Sequence, residues 1–414
     1  MSLLRELRRE GGLLARDRAL GVWVLLTLVL AGAAVLSGLQ EVAAQRASLS
    51  HMAELDRIDR EDAQRKHPDW GSTAYYSFHL TYDAPSNFAF AALGLRDQEP
   101  WKHRIRMLAL EGQIHERDAG NPVLALTGRF DFAFFAAFVL PLVLIGVLHD
   151  LQAQERRAGR HALLMATATG PGRPWRTRAL LRGGAVLGAA LLPLLAGGVV
   201  EGTGLPVLLT ASAFVLLYGL FWGVLAYALA ARNTASAVIL AMLLGLWATF
   251  SVVVPASLKA GIDAAVPLPE GADILLTQRE AVNDAWDLPK AVTMDAFLAR
   301  HPEWAPYGEV TTPFAWKWFF AFQQVGDQTA EPLSLAYRAG REARDELAAT
   351  LVWLAPPARL ERALEALAST DLRAHFAYKD RVRAFHGQLR AFYYPLLFKD
   401  EPYDPEVLAA LPAF

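Results

Sequence analysis

The sequence predicts an α-helical polytopic membrane protein: about five transmembrane helices carrying two extracytoplasmic, mainly helical α+β domains. Three observations predict it. Hydrophobic residues make up 54% of the 414-residue chain while 20% of it is charged. That mixture points to apolar spans and separate polar regions rather than one soluble globule. Five runs carry no charge and approach the length needed to cross a hydrocarbon core, which takes about 20 residues at ~1.5 Å each. Finally, arginines gather in the short segments between those runs.

Residues 1–18 form a short, arginine-rich segment of mixed charge, and 19–40 follow as the first span. The run is longer than the apolar part of a cleaved signal peptide, about 7–15 residues, so an uncleaved anchor is expected. Residues 41–131 read as a first polar domain. AELDRIDREDAQRK is a charged helix that stops where His67 precedes Pro68, because the residue before a proline avoids the helical region. TAYYSFHLTY has the aromatic and β-branched content of a strand. The turn-rich DAPSN and a short helix around WKHRIRMLALEGQIHER complete the domain.

The second span, 132–148, and the third, 183–200, flank a basic hairpin at 149–182. One helix is expected over 152–167, closed by Gly170-Pro171-Gly172, with Trp175 where the next helix meets the membrane surface. Spans four and five are 202–231 and 234–258, and 259–414 forms a second polar domain. There LAATLVWLAPPARL is too short and proline-broken to cross a membrane, and fits a buried segment. Val382, Phe385, Leu389 and Phe392 recur at helical spacing, so that helix packs along one face.

Arginine position sets orientation. Arg5, Arg8, Arg9, Arg16 and Arg18 lie before span one. Arg156, Arg157, Arg160, Arg173, Arg176, Arg178 and Arg182 lie in the hairpin, and Arg232 between spans four and five. All fall on one side if the N-terminus is cytoplasmic, which puts both polar domains outside a plasma (inner) membrane.

Several chemistries are excluded or disfavoured. There is no cysteine, hence no disulfide or thiolate site. There is no Gly-Lys pair and so no phosphate-binding loop for ATP. His115-Glu116 opens like a zinc-protease helix, but Ala119 stands where the second ligand belongs. The spans hold no ionisable residue, which argues against an ion-coupled transporter. No metal, cofactor or nucleic acid is expected. Gly184/Gly188 and Gly219/Gly223 are small-residue pairs suited to helix packing. His67-Pro68-Asp69-Trp70 and His301-Pro302-Glu303-Trp304 repeat a pattern. It reads either as two proline-stopped helix ends with a tucked tryptophan or as a shared ligand site. FAWKWFF at 314–320 reads either as a membrane-surface belt or as core.

The hairpin residues Glu155-Arg156-Arg157-Ala158-Gly159-Arg160, followed by Leu163-Leu164 and an arginine-rich approach to span three, resemble the ABC-2-type permeases of ABC exporters. Asn121-Pro122 and Leu126-Thr127-Gly128-Arg129-Phe130-Asp131 are similar to a subgroup with a large outer domain. So are Trp353-Leu354-Ala355-Pro356, Leu367-Ala368-Ser369-Thr370-Asp371-Leu372 and Ala391-Phe392-Tyr393-Tyr394. The resemblance implies a half-transporter. It would pair with a second permease, identical or related, and with a cytoplasmic ABC ATPase that hydrolyses the ATP. Glu155, Arg156, Arg157, Gly159, Arg160, Leu163 and Leu164 would form the coupling helix. Most of that family has six spans with the C-terminus inside, whereas this sequence shows five and an outer tail. The expected function is thus permease subunit of an exporter embedded in membrane lipid, not itself an enzyme. The alternative is a mechanical transmitter whose outer domains act on an envelope partner; a membrane-anchored hydrolase fits least.

Overall fold

A computed structural model describes residues 10–12, 16–115, 129–167 and 173–414, and the protein is mostly helical. Residues 1–9, 13–15, 116–128 and 168–172, and with them Arg5, Arg8, Arg9, Glu116, Ala119, Asn121-Pro122, Leu126-Thr127-Gly128 and the Gly-Pro-Gly stop, lie outside the described residues.

The elements follow in chain order. Helix α1 is Arg18–Lys66 and α2 is Trp70–Tyr76; strands β1, His79–Tyr82, and β2, Lys102–Ile105, precede α3, Leu110–His115. Helix α4 covers 132–148, α5 is Ala153–Arg157, α6 is His161–Thr167, α7 is Arg173–Val200 and α8 is Leu205–Ala230. Helix α9 is Ser236–Ala265. Then come α10, Gly271–Asp287, α11, Lys290–Leu298, α12, Trp316–Leu351, α13, Pro356–Ala368, and α14, Leu372–Phe398. Five of these, α1, α4 with its extension, α7, α8 and α9, are long and apolar enough to cross a membrane.

The first span does not end where the apolar run ends. Asp17 caps the start of α1, and the helix then runs 49 residues to its C-cap at His67. The charged AELDRIDREDAQRK stretch is the continuation of span one, held by pairs such as Arg57 with Glu54 and Glu61. No residue between Ala19 and Lys66 breaks a helix, so nothing local stops it.

In the polar head, TAYYSFHLTY splits into helix and strand. Asp69 accepts from Ser72 N at 2.8 Å and starts α2, and only His79–Tyr82 pairs, antiparallel, with Lys102–Ile105. The expected helix around WKHRIR is therefore strand β2, and the helix proper is Leu110–His115. Both polar stretches of the chain surround one core: Trp70, Ile105, Met107 and Ile114 pack with Phe297, Phe320, Tyr378, Val382 and Leu389. The C-terminal Phe414 joins it against Phe385, ring to ring at 5.6 Å. FAWKWFF opens α12, with Trp318, Phe320 and Phe322 in the head core. The other end of α12 meets span five, where Arg344 pairs with Asp263 at 2.7 Å. Trp316 thus lies roughly 42 Å further along the helix from that junction, half-buried against the head core.

The head and the bundle meet at Phe88–Leu93, six consecutive residues no more than 2% exposed. Gly38 of α1 lets this plug approach, since a Cβ there would stand 1.8 Å from Phe90 O. Helix α13 adds Leu360, Leu364 and Ala368 to the same core as spans two, four and five. The segment before it is not buried as expected: Trp353 is 66% exposed, because the turn Val352–Leu354 bends the chain outward between α12 and α13.

Both α4 and α9 contain one wide, π-helical turn, Phe135–Val139 and Thr249–Val253. Such a turn breaks the regular i→i−4 ladder. In α4 two carbonyls there find partners on other spans: Tyr218 Oη donates to Ala137 O at 2.7 Å and Trp247 Nε1 donates to Phe138 O at 3.0 Å.

Candidate coupling hairpin

At the end of the bundle opposite the head, the segment between α4 and α7 is two short helices rather than one. Helix α5 closes at Gly159, whose φ of +68° is left-handed. Arg160 N donates to Glu155 O at 3.0 Å and Gly159 N to Arg156 O at 3.1 Å. This paired pattern ends a helix and favours glycine at the left-handed position. Helix α6 then starts at His161 in a new direction.

Three contacts hold the hairpin to the bundle. Glu155 accepts from Arg160 Nε at 2.7 Å and from Arg178 Nη1 at 2.9 Å. Arg178 also donates to Glu10 at 2.8 Å, tying in the N-terminal segment. Arg156 reaches the turn between spans four and five, donating to Arg232 O at 2.6 Å. Trp175 is turned into the protein: it is 2% exposed and stacks on His161 at 5.5 Å, where it also carries the Arg178 guanidinium. With Arg182 near Asp17 at 3.3 Å, the described parts of the N-terminal segment, the hairpin and the turn at Arg232 gather at this one end.

The residues proposed from sequence therefore divide. Glu155 and Arg156 face inward and anchor the hairpin, and Gly159 makes its bend. Arg157 and Arg160 are exposed, as are Ala162 and Leu163, while Leu164 is half-buried. Arg178 and Glu10 were visible in sequence only as members of a charged flank; nothing in their spacing marks them as the clamp on Glu155. Arranged so, the described part of the hairpin is tied to its neighbours and shows a basic, partly apolar outer face. It can pass a push to spans two and three, and to the turn joining spans four and five.

Of the packing glycines, only Gly219 is tight, where a Cβ would meet Leu187 at 2.4 Å. Gly184, Gly188 and Gly223 face open space, so these three do not pack helix on helix within this chain. Gly184, Gly219 and Gly223 line an apolar groove of about 360 Å³. The two His-Pro motifs are helix ends: His67 caps α1 and Trp70 Nε1 donates to Pro402 O at 3.2 Å. His301 stacks on Phe297 and Trp304 lies against Phe398. No cluster of three or more His, Asp or Glu suited to a metal occurs among the described residues.

A family profile described as a domain of unknown function, DUF3526, matches residues 273–414. This is about a third of the chain and covers the head from α10 to the C-terminus. No curated protein and no solved structure matches the chain.

Proposed function

We propose that this chain is the permease subunit of an ATP-driven complex of the ABC-2 type in the plasma (inner) membrane. In this reading the hairpin is cytoplasmic and receives a separate ABC ATPase, the head is extracytoplasmic, and a second permease copy completes the pathway. The observation that carries it is the clamp on Glu155. Arg160, just past the short helix, and Arg178 of α7 fix that helix, which has an exposed basic face, and a solvated turn obeying charge bias alone needs no such anchoring. The exposed Arg157 and Arg160 offer the ATPase its contacts.

The test is affinity isolation of the full chain from its own cells in mild detergent. Wild type should retain an ATPase, and Glu155→Arg or Gly159→Pro should lower its recovery about tenfold, a coupling of ~1.4 kcal/mol. Proline cannot adopt the positive φ at 159. An ATPase recovered equally with both variants, at equal chain abundance, sinks the assignment.

One observation favours a second reading, a mechanical transmitter. Helix α1 passes unbroken from the first span into the head over 49 residues, so motion of the bundle would reach the head through a single rod. Efflux from liposomes containing the complex separates the readings: ATP turnover with transport supports the permease, and turnover without transport supports the transmitter.

A further inference from the structure

Between the α3 end, the link into α10, and helices α12 and α14 lies a cavity of about 720 Å³. Ligand sites commonly enclose about 300–1,000 Å³. Ile114, Leu268 and Leu275 supply apolar wall, and Lys379 of α14 lines the space.

Lys379 is 5% exposed, and it makes no hydrogen bond or ion pair among the described residues. Lysine is almost never buried to this extent without a partner. The carboxylates around it are committed elsewhere. Glu99 pairs with Arg341 at 2.9 Å and Glu111 with Arg383 at 2.8 Å. Glu270 stands exposed at the cavity rim and forms no ion pair among the described residues. Of the other cations nearby, Arg344 pairs with Asp263.

The neighbouring imidazoles supply neither charge nor counter-charge. Burial holds His103 near pKa 4 and His375 near 3, with Lys379 pushing the same way. His115 is likewise lowered, first by burial, and lies 3.5 Å from Glu111. The buried Nε2 atoms of His103, His115 and His375 have no hydrogen-bond partner. Burial also draws Lys379 down to about 8, Glu99 opposing, so the amine still carries its proton at neutral pH.

We infer that this cavity binds an acidic amphiphile, an apolar molecule bearing one carboxylate or phosphate, whose anionic group pairs with Lys379. The apolar wall takes the body of the ligand. The unmatched ammonium demands an anion, because a neutral ligand would leave the charge desolvated. This inference stands apart from the proposed ATPase coupling, and its test uses the chain alone.

The wild-type chain in phosphatidylcholine nanodiscs is treated with pyridoxal phosphate, whose aldehyde condenses with a neutral amine with loss of water. Borohydride then reduces the C=N bond, and mass spectrometry reports labelling at each lysine. Octanoate or octyl phosphate should cut labelling of Lys379 about fivefold at about four times its Kd, leaving the exposed Lys259 and Lys399 unchanged. Protection by either acid supports the site and identifies its head group. Equal protection by octanol, equal protection by acetate or inorganic phosphate, or protection by none of these overturns it.

Discussion

The bundle and the head use polar groups in opposite ways. In the head, charged side chains join segments far apart in the chain. Arg390 pairs with Asp327 at 2.6 Å, Arg383 with Glu111 at 2.8 Å, and Arg96 with Asp83 at 2.7 Å. In the bundle the ion pairs sit at the helix ends, as between Arg182 and Asp17, while within the apolar stretches neutral donors repair backbone: Tyr218 and Trp247 serve the carbonyls of the wide turn in α4. The difference follows from solvent. Water can share the cost of an imperfect ion pair at the edge of the head, whereas a carbonyl freed within hydrocarbon must find a protein donor. Polar contacts therefore fix tertiary connections in the head and permit helix irregularity in the bundle.

The largest effect that would test this contrast lies in the head. Arg390→Leu leaves Asp327, already pushed toward its neutral form by burial, without its cation. Breaking a buried pair costs about 3–5 kcal/mol, so thermal unfolding of the detergent-solubilised chain should move clearly downward. An unchanged midpoint would mean the pair is dispensable. In the bundle, Trp247→Phe and Tyr218→Phe should each cost only about 1–2 kcal/mol. Hydrogen exchange should rise near 137–141 and not in the head; exchange spreading through the head would dissolve the contrast.

A pH-dependent effect belongs to the junction. Glu361 and Glu365 of α13 are half-buried beside the bundle. Burial, then Glu365 and Asp131, raise Glu361 to about 8; burial, then Asp131, raises Glu365 to about 7. A carboxyl raised in the fold contributes stability below its ordinary pKa of 4.5 and loses it as pH rises through the raised value. The melting midpoint should therefore fall between about pH 5 and 8. Glu361→Gln should flatten that slope, and a slope identical to wild type would remove Glu361 as its source.

The sequence by itself determined the span positions, because an uncharged run of hydrocarbon length needs no partner to be recognised. It also determined the common flank of the basic turns, but it read 152–167 as one helix, because a single glycine need not end a helical pattern; the left-handed turn at Gly159 showed only in the structure. What only the tertiary structure decided has partners distant in the chain. The plug at 88–93 is a featureless apolar string until Gly38 gives it room. Arg178 is one arginine among many until it meets Glu10 and Glu155. The unmatched charge of Lys379 emerges only when α14 lies against α3 and α12, with each nearby carboxylate but the exposed Glu270 already paired. Periodicity and charge bias are properties of neighbours along the chain; pairing, or its absence, belongs to neighbours in space.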